Sequence, residues 1–199
     1  MGQEIACTAS SGGRTVAGRA QLETDELLFR GEGVRLRIPY SSVTAVRAAG
    51  GRLEVEHGGE TTSFELGEKA ARWADRIANP KTVLDKLGVK PGQRVALRGI
   101  DADGFAADVE ARGAELVERG ADHLFVAVET HDDLARLAGL VPLIARNGAV
   151  WTVRRKGRKD LTEADVMAAG KAAGLVDVKV VRFSETHTAE KFVIPVADR

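Results

Sequence analysis

Five basic residues fall within six positions at Arg154, Arg155, Lys156, Arg158 and Lys159. They follow the apolar run Ala149–Val153 and lead into Thr162-Glu163-Ala164-Asp165. A hydroxyl three residues ahead of a carboxylate is a variant of the capping box, so a helix is expected to start at Thr162. Guanidinium and ammonium groups gathered at a helix N-terminus are the parts of a small-anion site. The plain alternative is a solvated loop whose basic side chains point to water.

Gly99, Asp101 and Gly104 follow another apolar run, "RVALRGI". Glycines there let a backbone approach a ligand, and an aspartate at that place also caps a helix beginning near Phe105. Glu129 opens a third set, Glu129-Thr130-His131-Asp132-Asp133, again just after an apolar run, "DHLFVAV". Carboxylates beside a histidine can hold a metal or move a proton. Acids in a first helical turn are equally favoured by the helix dipole, which is the plainer account. His187, in "SETHT", has the composition of a hairpin turn, and Cys7 sits in a strand-like run as a small apolar residue. No nucleophile elbow, zinc spacing or phosphate loop occurs, so no catalytic residue and no metal ligand is assigned.

The elements that must position these residues fall into two periods. Up to Asn79, short runs such as "RLEVEH" and "TTSFEL" alternate apolar and polar residues, as half-buried strands do. Seven strands are expected, closed by one helix with a stripe of Ala70, Trp73, Ala74 and Ile77. Beyond Arg94, apolar runs alternate with helical stretches, which predicts a largely parallel sheet covered on both faces. "VDVKVVRFS" and "TAEKFVIPV" read as an antiparallel closing hairpin, and 131–148 reads as helix disturbed at Pro142. The expected division is a β domain over 1–79, a linker over 80–91, and an α/β domain over 92–199.

Two resemblances attach to these halves. The run "VRLRIPYSSVTAVRAAGGRLEVEH" resembles the equivalent stretch of bacterial pleckstrin-homology-like (PH-like) and GRAM-like domains. That resemblance implies a recognition module over Gln3–Asn79. "KPGQRVALRGI", "DHLFVAV", "RNGAVWTV" and the terminal hairpin resemble the first, fourth and fifth strands and the ending of class I S-adenosylmethionine-dependent methyltransferases. This implies a Rossmann-like fold over Thr82–Val196, with S-adenosylmethionine as the cofactor. The chain departs from that family at its glycine loop, where acidic-x-Gly-x-Gly-x-Gly is replaced by "LRGIDADGF". Glu118 is the one nearby residue placed to bind a ribose, and one strand-helix unit is missing. As a whole the chain is similar to a bacterial, actinobacterial protein family, a resemblance that implies no activity.

Composition narrows the partners. Twenty-nine basic residues balance 29 acidic ones, which disfavours a nucleic-acid surface. Arg14, Arg19, Arg30, Arg35 and Arg37 are interleaved with glutamates and read as a mixed solvated face. One cysteine excludes an internal disulfide, and no 18-residue apolar stretch exists to span a membrane. With no basic start or apolar run at Met1–Ser11, a cytoplasmic location is expected. The leading expectation is a non-catalytic binding or regulatory protein, its sheet edge holding a small anion or a partner's acidic segment. The alternatives are a methyltransferase with a divergent loop and an oligomeric interaction module. On the leading expectation, alanine at Arg154, Arg155 and Lys156 abolishes anion binding and spares the fold.

Overall fold

The computed structural model describes residues 3–100 and 104–199. It divides into two compact units, Met1–Lys81 and Thr82–Arg199. In the first, β1 (Gln3–Ser11), β2 (Arg14–Leu22), β3 (Glu26–Gly31), β4 (Val34–Pro39), β5 (Val43–Ala49), β6 (Arg52–His57) and β7 (Glu60–Glu65) precede α1 (Lys69–Ala78). The strands form one antiparallel sheet in the order β4-β3-β2-β1-β7-β6-β5. The alternation seen in sequence sets its inner face: Leu53 pairs with Phe64, and Val55 with Thr62, all four buried. The sheet curls around this face, where Phe29 and Phe64 meet at 5.9 Å. The apolar stripe of α1 closes the core with Ala70, Trp73 and Ile77. Cys7 packs half-buried against it, and burial pushes its thiol above the ordinary value.

The second unit begins with α2 (Val83–Leu87), inside the stretch expected as linker, and buries Leu84, Leu87 and Val89 in the unit's own core. Then come β8 (Arg94–Arg98), α3 (Phe105–Ala111), β9 (Glu115–Leu116), β10 (Ala121–Ala127), α4 (His131–Ala135), α5 (Leu137–Leu140), β11 (Ile144–Arg155), α6 (Glu163–Ala172), β12 (Val176–Arg182) and β13 (His187–Val193). The sheet order is β12-β13-β11-β10-β8-β9. Strands β9, β8, β10 and β11 run parallel, and β13 enters antiparallel between β11 and β12.

Continuous apolar strands are explained by two covered faces. Phe125 and Trp151 face α2 and α3, whereas their neighbours Leu124, Val126 and Val150 face α4, α5 and α6. One expected element is corrected. Residues 144–147, read as helix, form the start of β11, and Ile144 pairs with Ala121 of β10. Pro142 lies in a short 3-10 turn over Val141–Leu143, which ends the helical path and releases the chain into the sheet. Among the described residues no helix is long and apolar enough to cross a membrane.

Candidate functional site

From β8 the chain leaves through α3 toward the β9 edge, whereas β10 lies on the opposite side of β8. In an open α/β sheet such a reversal leaves a crevice above the carboxyl ends of the two central strands. A cleft of about 380 Å³ occupies that place. Gly99 and Ile100 line it after β8, Ala127 and Glu129 after β10, and Val153 near the end of β11. Phe105 and Asp108 of α3 form one wall, and Phe183, Ser184, Thr186 and His187 of the β12–β13 turn form another.

Local chemistry fixes each wall. Gly99 has φ +65°, and a Cβ added there would lie 3.3 Å from the Ala127 Cβ. Its backbone therefore hugs β10 in a conformation that side-chain-bearing residues avoid. Phe105 packs edge-on to Phe125 and tilts onto Phe183, with centroids 5.1 and 4.9 Å away. Phe105 and Phe183 thus give the cleft aromatic surface, backed by the buried Phe125. At the turn, the His187 Nδ1 lies 2.9 Å from the Thr186 hydroxyl and 3.4 Å from that of Ser184. Its position follows from register: β13 runs antiparallel to β11, so His187 starts opposite Arg155, where β11 ends.

The basic stretch is built differently from its sequence appearance. Arg154 is buried, its Nε donating to Glu190 Oε1 at 2.9 Å, with Glu163 3.7 Å away. Glu190 is fully buried and also accepts from the Thr152 hydroxyl at 3.0 Å. Burial pushes its carboxyl above the ordinary value, against the opposing pull of Arg154 and Thr152. The ammonium of Lys156 donates to the carbonyl of Ser184 at 2.7 Å and so fastens the β12–β13 turn. Arg158 donates to the Glu129 carbonyl at 2.7 Å and lies beside Asp160. Arg155 and Lys159 are exposed. The stretch thus ties the neighbouring loops together instead of presenting its charges side by side, and alanine at Arg154, one of the three positions expected to be replaceable without unfolding, would remove the partner of the buried Glu190.

Thr162 caps α6, with its amide donating to Asp165 Oδ2 at 2.7 Å and its hydroxyl accepting from the Asp165 amide at 3.3 Å. Thr130 and Asp133 form the same reciprocal cap on α4. Glu129 reaches the cleft, whereas His131 turns to the carbonyl of Asp160 at 2.9 Å. Gly104 stands at the N-cap of α3 with φ +79°. Asp101 and Asp103 lie outside the described residues. Glu118 is held by Arg98 at 2.7 Å and does not line the cleft. Residue types alone missed Ser184, Thr186 and His187, which read as turn composition. The usable signal is topological, since an antiparallel last strand brings its leading turn to the carboxyl edge.

No family model matches the chain, and no curated protein matches it. Among solved structures, it is similar to a SAM-dependent methyltransferase from Aquifex aeolicus at 14% identity, covering 59% of this chain and 92% of that one, with a TM-score of 0.46. A TehB-like SAM-dependent methyltransferase from Corynebacterium glutamicum is 12% identical over 62% of this chain and 94% of that one, with a TM-score of 0.41. CalO1, a methyltransferase in calicheamicin biosynthesis solved in its SAH-bound form, is 18% identical over 56% and 52%, with a TM-score of 0.42.

Proposed function

We propose that the second unit binds S-adenosylmethionine in the cleft and serves methyl transfer to a small acceptor. The observation that carries this reading is the chemistry of the lining. Asp108 and Glu129 contribute carboxylates, Phe105, Phe183, Ile100 and Val153 contribute apolar surface, and no lysine or arginine stands among the described lining residues. Such a wall repels a free phosphate and attracts a net positive ligand with a flat aromatic part. The volume falls in the range of about 300–1,000 Å³ usual for small-molecule sites. Gly99 packs close against β10 at the rim of the cleft, where a side chain would press on Ala127 and strain the positive φ. The residues present therefore fit this cofactor better than they fit an anion.

When bound, S-adenosylmethionine supplies a methyl group activated by a sulfonium. The chain's own contribution is positioning and proton handling. Glu129 and Asp108 hold positive charge at the rim, and the Phe105–Phe183 wall excludes water from an apolar ring. His187, with its Nδ1–H donating to the Thr186 hydroxyl oxygen, takes the acceptor's proton at Nε2. For the first unit, we infer a recognition module of the pleckstrin-homology type. Its curled antiparallel sheet and closing helix support that reading.

A thermal-shift and calorimetric panel of S-adenosylmethionine, S-adenosylhomocysteine, inorganic phosphate and sulfate tests the cleft. An adenosyl ligand at a hundred times its dissociation constant stabilises by roughly 2.7 kcal/mol. That response is expected to fall at least tenfold in affinity in Gly99→Val. Stabilisation by phosphate with silence from both adenosyl ligands would return the weight to the basic stretch and a non-catalytic role.

A further inference from the structure

Away from the cleft, one rung of the second sheet holds an electrostatic imbalance. Phe125 of β10 is paired with Trp151 of β11, Trp151 with Lys191 of β13, and Lys191 with Lys179 of β12. The first two rings stack at 5.9 Å and 14°. Both lysine Nζ atoms lie 5.5 Å from the centroid of Trp151. Like charges directly opposite on neighbouring strands destabilise a sheet. Here both ammonium groups stand over the same fully buried indole, with Lys191 partly buried and Lys179 exposed.

The surrounding groups do not neutralise them. The Trp151 indole N–H donates to His123 Nδ1 at 3.2 Å, and His123 Nε2 meets Gln93 Oε1 at 3.2 Å, so the polar groups beneath the lysines are uncharged. Burial, and then the two lysines, hold His123 well below its ordinary value and hence neutral. The Lys179 ammonium donates to the Lys86 carbonyl at 2.7 Å, a neutral acceptor near the end of α2. Asp122, the carboxylate next to His123 in sequence, is engaged by Arg94, whose amide donates to it at 2.8 Å. Among the described residues neither lysine forms an ion pair with a carboxylate. Partial burial, and then Lys179, push Lys191 below the ordinary lysine value, as expected for an ammonium without a counter-charge.

We propose that Lys179 and Lys191, gathered over the Trp151 ring, form a binding site for a small oxyanion, either a phosphate or a carboxylate. An oxyanion between the two ammonium groups relieves their repulsion and accepts hydrogen bonds from both. None of these residues lines the cleft, so the site stands or falls independently of the methyltransferase reading.

Two-dimensional ¹⁵N spectra of the full chain give the test, because its two tryptophans supply an internal control. With the two indole signals assigned through a Trp73→Phe variant, inorganic phosphate and acetate are titrated separately against chloride at matched ionic strength. The Trp151 signal is expected to move saturably with at least one oxyanion while Trp73 stays still. Lys191→Gln and Lys179→Gln, which keep the stems and remove the charges, are each expected to weaken the affinity at least tenfold. Saturation with phosphate alone identifies a tetrahedral anion, and with acetate alone a carboxylate. A response no greater than that to chloride, or one retained in Lys191→Gln, overturns the proposal.

Discussion

Arg154 and Glu190 pair across neighbouring strands, and neither reaches solvent freely. Removing one partner of a buried pair strands the other's charge, at a cost of about 3–5 kcal/mol. Arg154→Met should therefore lower the stability of the second unit by that order in urea denaturation. The double variant with Glu190→Leu should recover most of the loss, because it removes both desolvated charges. A single variant within 1 kcal/mol of the wild type would refute the pairing. His123 gives a pH signature of its own. Burial lowers it from 6.5 to about 4, so between those values the unfolded chain binds a proton that the folded chain refuses. Stability is then complete above about pH 6.5, and falls by roughly 3 kcal/mol as the pH drops to about 4. Denaturation midpoints across that window check it, and His123→Gln should flatten the slope. The basic stretch was legible in sequence, but its chief partner was not: Glu190 is 36 residues away, and only strand pairing brings the two together.

Helix α6 meets the sheet at Val166 and at one small residue, Gly170. Alanine in place of glycine inside a helix ordinarily stabilises by about 1 kcal/mol. At Gly170, however, an added Cβ would fall 2.3 Å from the ring of Phe192, itself fully buried in β13. Overpacking of that kind costs about 1–3 kcal/mol, so Gly170→Ala should be net destabilising. A rise in the denaturation midpoint would show that α6 does not press on β13 this closely. The start of α6 was readable because a capping box is a local device, and Thr162 and Asp165 announce it within four residues. The same holds for Thr130 and Asp133 on α4. Residues 144–147 could not be read as strand, since apolar and polar residues there fit a helix as well. What decides them is the parallel partner β10, a non-local contact invisible to periodicity. His187 illustrates the same limit, since its composition describes a turn and only the strand order says what that turn faces.

The largest feature written in the sequence is the change of period, from alternating strands to strands separated by helices, and it recurs in the packing. Every residue of the first core lies between Ala9 and Ile77, and every residue of the other two lies between Leu84 and Phe192. Among the described residues no core cluster draws on both units. Each unit exceeds the roughly 50 residues at which domains begin to hold a core of their own. Cleavage of the chain between Lys81 and Thr82 should therefore leave two pieces that each unfold cooperatively by circular dichroism. The piece 82–199 contains the whole described lining of the cleft and both lysines of the Trp151 rung. It is accordingly expected to keep the adenosyl-ligand stabilisation of the full chain within twofold in affinity, and the oxyanion response with it. If 82–199 folds yet loses the adenosyl ligand, the cofactor site draws on the first unit, and the cleft described here is only part of it. If it fails to fold at all, the independence of the cores is wrong, and α2 depends on a contact made before Thr82.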